Sequence, residues 1–322
     1  GCPPDSFTAD GQLWGNPIYD WKKMAQTHYF WWIQRLTAAG KLYDVIRLDH
    51  FRGFESYWSV PAGDTTARNG KWVKGPGMDF IRTIQQALPN LEFIAEDLGF
   101  ITPEVRKLQQ DSGYPGMKVL EFAFDSREES DYMPHLYPVD SVCYTGTHDN
   151  VTLKQWFDEA APEDVACAKT YLGLNREEGY IRGMIRGCMG SVSRLCVVQM
   201  QDYLELGKEA RMNFPGTLSS ANWTWRAEKG FDSDALAARI YAATKLVRTG
   251  GKVTFSLAEQ GKITPNHNVA EFHREPGFCP GSRLIFWKRF FLHRQGFFRK
   301  NGTNYASFCI IHKILPQCPF FM

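Results

Sequence analysis

Asp44-Val45-Ile46-Arg47-Leu48-Asp49-His50-Phe51-Arg52-Gly53 is the stretch whose reading decides the fold. Val45 to Leu48 is apolar apart from one arginine and has the branched character of a strand. Asp, His and Arg follow within four residues, and Gly53 ends the run. Buried charge is costly unless it is paired, so a strand that runs into this much charge is expected to end in a cleft. Residues two apart on a strand point to the same side, so Arg47 and Asp49 are expected to meet. A neighbouring cation favours the ionised form of a carboxylate, which suits a nucleophile or a charge stabiliser. A purely structural Arg–Asp pair at a strand end would have the same local sequence.

Two further strand ends add to this. Leu91-Glu92-Phe93-Ile94-Ala95-Glu96-Asp97-Leu98-Gly99 is a short apolar run that ends in two acids and a glycine. Ser141-Val142-Cys143-Tyr144-Thr145-Gly146-Thr147-His148-Asp149-Asn150 ends in His-Asp-Asn. Three strands with carboxylates at their C-terminal ends, separated by helical segments, fit the active-site face of a (β/α)8 barrel. Carboxylates gathered there suggest glycoside chemistry.

Five motifs occur in order: Gly11-Gln12-Leu13-Trp14-Gly15-Asn16-Pro17, Arg47 to Gly53, Ile94 to Gly99, Thr147 to Asn150, and Ala210-Arg211-Met212-Asn213 with Pro215-Gly216-Thr217. On these motifs the sequence resembles the 4-alpha-glucanotransferases of the amylomaltase or disproportionating-enzyme family (glycoside hydrolase family 77), relatives of the alpha-amylases. The resemblance covers roughly residues 1–248. It implies an α/β fold, a TIM barrel of the alpha-amylase type, and transfer of alpha-1,4-glucan segments between maltooligosaccharides by a retaining double displacement. It casts Asp49 as nucleophile, Glu96 as acid/base and Asp149 as the third carboxylate. Arg47, His50, His148, Trp14, Gln12, Asn16, Asp5, Phe122 and Asn213 fall at substrate-binding positions. An amylase-like hydrolase would use the same residues, and an inactive glucan-binding fragment would keep the same sugar-facing side chains. Leu136 and Phe214 depart from the family pattern. The chain carries the equivalents of the fourth to eighth barrel strands, so an incomplete barrel is expected, with Gly1 falling in the middle of a longer protein.

Composition agrees with a sugar-handling enzyme. Aromatic residues make up 14% of the chain, and aromatic faces stack on sugar rings, although tryptophan also fills cores. A net charge of +2 argues against a nucleic-acid or strongly acidic partner. No segment reaches the roughly 20 apolar residues of a membrane span. The eight cysteines include no CxxC and no His/Cys cluster at ligand spacing, so neither a metal nor another cofactor is expected, and a reducing cytoplasm is the simpler setting.

Local signals place the remaining elements. Apolar residues at near-helical spacing predict one helix over 21–38, with the Trp31-Trp32 pair in the core. Breakers at Gly63, Asn69-Gly70 and Gly75-Pro76-Gly77 predict a loop over 54–78, where Lys71, Trp72 and Lys74 reach either sugar or solvent. Thr102-Pro103-Glu104 opens a helix that closes near Gly113. Helices are also expected over Pro162–Leu172, Arg176–Cys188 and 233–247, and a strand over Leu195–Met200. The catalytic fragment is expected over 1–250. Residues 251–322 read as an unrelated, poorly ordered tail with ten Lys or Arg against three Asp or Glu. Its Phe286-Trp287-Lys288-Arg289-Phe290-Phe291 run is the part compatible with an anionic surface or nucleic acid.

Overall fold

A computed structural model describes residues 1–4, 8–99, 101–126 and 130–247, and the backbone of 283–284. The tail over 251–322 lies outside these apart from that one dipeptide, as does Asp5. The chain opens with two short helices, α1 (Trp21–Gln26) and α2 (Phe30–Gly40), which lead into strand β1 (Val45–Leu48). An antiparallel ribbon, β2 (Ser56–Ser59) and β3 (Lys71–Lys74), precedes α3 (Gly77–Ala87) and β4 (Glu92–Ala95). Then come α4 (Pro103–Ser112), β5 (Gly116–Val119), β6 (Ser141–Tyr144), α5 (Leu153–Glu159), α6 (Pro162–Leu172) and α7 (Tyr180–Met189). Strand β7 (Leu195–Val197), the short α8 (Met200–Tyr203), α9 (Asp234–Leu246) and β8 (Arg283–Leu284) follow.

The strands that matter are parallel. β1 pairs with β4, β5 with β6, β6 with β7, and β7 with β8. The two groups are stitched where Ala95 N–H donates to the Pro115 carbonyl (2.9 Å) and Met117 N–H donates to Asp97 Oδ1 (2.6 Å). Side chains alternate between two layers, as the period of two requires. Val45, Ile94, Met117, Val119, Val142, Tyr144, Leu195 and Val197 pack together on one face. On the other face, Ile46, Leu48, Phe93 and Ala95 pack against α2, α3 and α4, while Cys143 and Cys196 pack against α5, α6, α7 and α9. Arg47 takes an inward position in this alternation, with its Nε 3.2 Å from Met117 Sδ.

Three expectations over residues 21–78 need correction. The helix over 21–38 is two helices, broken at His28 and Tyr29, whose φ values are +50° and +54°. A left-handed conformation costs a non-glycine residue about 1–2 kcal/mol, and here Tyr29 offsets it by packing. Tyr29 is buried, its hydroxyl donates to Asp79 Oδ2 (2.6 Å), and its ring meets Phe80 edge-on. The loop over 54–78 contains the β2–β3 ribbon, because Trp58 and Trp72 face each other in register with ring centroids 5.2 Å apart. The breakers seen in the sequence lie at its turn and exit. Trp31-Trp32 divides: Trp32 is buried, whereas Trp31 is 47% exposed under the Arg35 guanidinium.

The strand expected over Leu195–Met200 ends at Val197, with Met200 opening α8, and the helix expected from Arg176 begins at Tyr180. The remaining boundaries follow their local signals. The Thr102 hydroxyl accepts from Val105 N–H, and Gly113 closes α4 in the left-handed conformation. Gly173 closes α6 in the same way, and Ser233 caps α9.

Phe80 is fully buried where Trp21, Tyr29, Trp32 and Phe54 converge, with centroid distances of 4.7 to 5.7 Å. Phe80→Ala is expected to destabilise the fold by about 3–5 kcal/mol, read as a lower urea midpoint at unchanged m-value.

Candidate active site

β1 and β4 pair Arg47 with Ile94 and Leu48 with Ala95. Carried two residues past Arg47 and Ile94, this register sets Asp49 beside Glu96 on the inward face. The ladder continues that far: Glu96 N–H donates to the Leu48 carbonyl and Phe51 N–H to the Glu96 carbonyl, each at 3.0 Å. Paired positions on neighbouring strands lie roughly 4.8 Å apart, so the two carboxyls interact. Arg47 Nη2 lies 2.7 Å from Asp49 Oδ1, the pair expected from their spacing. Arg47 itself is only 6% exposed, whereas the Asp49 side chain is 38% exposed.

The Glu96 carboxyl accepts two backbone hydrogen bonds, from His50 N–H to Oε2 (2.7 Å) and from Leu98 N–H to Oε1 (2.9 Å). Burial, reinforced by the charge of Asp49, pushes its pKa up to about 7 against the opposing effects of Arg47 and those hydrogen bonds. Glu96 therefore exchanges its proton near neutrality. His50 sits in the left-handed conformation at the end of β1. Burial drives its imidazole down to about 4, so it is neutral at pH 7. The Trp14 ring stands edge-on to it at 5.0 Å, and Trp14 Nε1 donates to Gln12 Oε1 (3.0 Å). A two-residue bridge between Cys2 and Gln12 sets this loop, with Gly11 at φ +67° where its neighbours leave no room for a side chain.

Asp149 projects from the turn after β6. Its Oδ1 accepts from Asn213 Nδ2 (2.6 Å), and its Oδ2 lies 3.2 Å from His148 Nε2. Arg211 Nη2 donates to its backbone carbonyl (2.8 Å). Burial pushes this carboxyl up, but the contacts with His148 and Asn213 and the charge of Arg47 outweigh that and hold it below the usual range. The charge of Arg47 thus bears on Asp49, Glu96 and Asp149 together.

The structure therefore gathers Arg47, Asp49, His50, Glu96, His148, Asp149 and Asn213, with Trp14 and Gln12 joined through the ring of His50. Asn16 is exposed on the same loop. Phe122 lies on the turn after β5, 39% exposed, with its ring edge-on to Tyr132. Asp5 lies outside the described residues.

Several residues that the sequence reading did not single out belong here. Arg211 holds the Asp149 backbone, and Trp223 packs its ring 4.9 Å from His148. Glu121 and Gln199 occupy the inward positions next above Val119 and Val197, flanking Gly146. Their signal was present in the alternation of each strand, but only the register between strands reveals the ring.

Spacing along the chain also hid a thiol cluster. The sulfurs of Cys143, Cys188 and Cys196 lie within 4.8 Å of one another, the one such metal-capable group among the described residues. All three are buried in the apolar cluster behind β6 and β7. Hydrogen bonding to Cys143, added to burial, pushes the Cys188 and Cys196 thiols well up. Cys143 is shifted the other way: burial is outweighed by its hydrogen bonds with Cys188, Cys196, Ser191 and Ser193, which bring its thiol well down.

Parallel strands with carboxylates gathered at their C-terminal ends place the chain among the α/β-barrel proteins. Comparison with known proteins narrows this. The 4-alpha-glucanotransferase family profile matches residues 1–232, and the chain belongs to that family, glycoside hydrolase family 77. The 4-alpha-glucanotransferase of Clostridium butyricum is 48% identical over 247 residues, which are 76% of this chain and 50% of that one. The Streptococcus pneumoniae serotype 4 protein of the same name is 51% identical over 230 residues, 70% of this chain and 45% of that one. The amylomaltase of Streptococcus agalactiae, solved in complex with acarbose, superposes with a TM-score of 0.73 at 37% identity, covering 78% of this chain and 51% of that one. The chain thus spans about half the length of the curated relatives it matches, and its fold is that of the alpha-amylase-type TIM barrel. No helix among the described residues is long and apolar enough to cross a membrane.

A Cβ on Gly146 would stand 2.8 Å from Glu121 Oε1 and 2.9 Å from Gln199 Nε2. Both atoms are buried, so neither side chain can swing into solvent. Gly146→Ala is expected to lower stability by about 1–3 kcal/mol, measured by equilibrium denaturation.

Proposed function

We propose that this chain carries the catalytic residues of a 4-alpha-glucanotransferase, which moves alpha-1,4-glucan segments between maltooligosaccharides with retention of configuration. Strands β1, β4, β5, β6 and β7 correspond in this reading to the fourth to eighth strands of the family barrel. The observation that carries it is the placement of Asp49 and Glu96 just past the ends of paired strands, one carboxyl beside a guanidinium and the other raised by burial and by the first one's charge. Retaining glycosidases use two carboxyls roughly 5 Å apart, and neighbouring parallel strands offer that spacing.

In the first step an Asp49 oxygen attacks the anomeric carbon while Glu96 delivers its proton to the glycosidic oxygen. The leaving glucan departs with a free hydroxyl, and the donor remains as an ester on Asp49. In the second step an acceptor hydroxyl attacks the same carbon and gives its proton to Glu96, and the Asp49 carboxylate is released. Asp149, already held ionised by its partners, hydrogen-bonds donor hydroxyls and faces the positive charge that develops on the ring. His50 and His148 bond hydroxyls beside the cleaved bond, Trp14 stacks on a glucose ring, and Gln12 bonds its hydroxyls. Water could resolve the ester as well as sugar could. The choice of transfer rests on the family, and on loop aromatics such as Trp14 that keep water from the ester.

Incubated with maltotriose, the full chain is expected to yield glucose together with maltopentaose, separated by size. Glu96→Gln is expected to lower the rate by about 10²–10⁴-fold. Glucose and maltose without longer products would indicate hydrolysis instead, and no products would set the reading aside for this chain.

A further inference from the structure

Behind the catalytic turn lies an acid that no step above uses. Asp202, on α8 just after β7, is 1% exposed. Its Oδ2 accepts from the Thr145 hydroxyl (2.6 Å), and its Oδ1 accepts from Leu153 N–H (2.8 Å). Thr145 and Leu153 are the two ends of the segment that carries His148, Asp149 and Asn150. One carboxyl therefore closes this segment into a loop.

The loop is fixed in its middle by other means. Asn150 Oδ1 accepts from both the backbone and the hydroxyl of Thr147 (2.9 and 2.8 Å). Gly146 rests between Glu121 and Gln199. The same chain segment that supplies Asp202 goes on to supply Arg211 and Asn213, which hold the Asp149 backbone and carboxyl. Gln201 Nε2 donates to the Ala210 carbonyl (3.2 Å) and ties those two stretches together.

We propose that Asp202 is a positioning residue for the glucan-transfer reaction, clamping both ends of the 145–153 loop so that Asp149 meets the reacting sugar at a fixed place. The inference rests on the function proposed above. Asp202 touches no substrate and acts through Asp149. Without the clamp, Thr145 and the first turn of α5 separate, and Asp149 loses its alignment with His148 and Asn213. Misplacing a group by about 1 Å is enough to cost on the order of 100-fold in rate. The loss falls on kcat more than on KM, because the interaction matters most in the transition state.

The test uses Asp202→Ala, Asp202→Asn and Thr145→Val in the full chain, each also combined with Asp149→Asn. Maltotriose disproportionation is followed for kcat and KM, and the Asp149 carboxyl is titrated by carbon NMR. Asp202→Ala is expected to lower kcat by about 30–100-fold with KM within about threefold. Asp202→Asn, which can still bond both ends, stays within about fivefold of the parent, and Thr145→Val, which keeps the Leu153 end, falls between. In the Asp149→Asn background Asp202→Ala should add less than about a twofold further loss, since two residues acting through one element do not add. The Asp149 titration should move up toward the ordinary carboxylate range in Asp202→Ala. Equal losses in both backgrounds, or an Asp149 titration that does not move, would overturn the proposal. If Asp202→Ala does not fold, Thr145→Val decides by the same criteria. If the parent chain shows no transfer at all, the function proposed above fails, and the Asp149 titration still decides whether Asp202 positions it.

Discussion

A guanidinium at an inward position of a barrel strand is expensive to keep there. Taking a charge out of water costs several kcal/mol after relaxation unless partners compensate. Arg47 is 6% exposed and meets this cost with Asp49 at 2.7 Å and Met117 Sδ at its Nε. Its charge also acts on Glu96 and Asp149. The gathering of carboxylates at one end of the sheet and the burial of Arg47 beneath them are thus one electrostatic arrangement.

That arrangement lets carboxyls of the same chemistry take opposite states. Glu96 is enclosed and lies next to the Asp49 charge, so it holds its proton to about pH 7. Asp149 has His148, Asn213 and the field of Arg47, so it gives its proton up readily. Behind them, burial raises Asp202 to about 6 although two donors oppose it, and burial together with the charge of Asp202 raises Glu121 well above the usual range. Environments that push like groups apart are how one site runs both acid and base steps near neutral pH. The aromatic cluster around Phe80 and the apolar inward layer support this by fixing the β1–β4 register, on which the contact between Asp49 and Glu96 depends.

The near-neighbour part of this was legible in the sequence. Arg47 and Asp49 are two residues apart, so strand periodicity alone brings them together, and Thr102, Gly113, Gly173 and Ser233 mark their helix ends through local chemistry. What local signals could not show was register between distant strands. Glu121, Gly146 and Gln199 lie just past the ends of three strands, and they form one layer only because Met117 pairs with Val142 and Tyr144 with Val197. Asp202 reaches Thr145 across 57 residues, and the three buried thiols converge across a similar span. The break at His28 and Tyr29 was hidden for a related reason. Apolar spacing continues through it, and the bond from Tyr29 to Asp79 that holds it is 50 residues away. The Trp58–Trp72 pairing was concealed by the glycines and prolines around it, which signal a loop equally well.

The proton on Glu96 tests the account most directly. Carboxyl carbon NMR of glutamate-labelled protein, titrated between pH 4 and 9, should place Glu96 near 7, identified by its loss in Glu96→Gln. In Asp49→Asn the charge that helps to raise it is gone, and its titration should move down. A Glu96 that titrates near the ordinary 4.5, or one indifferent to Asp49→Asn, would contradict the claim that the two carboxyls form a coupled pair at the end of β1 and β4.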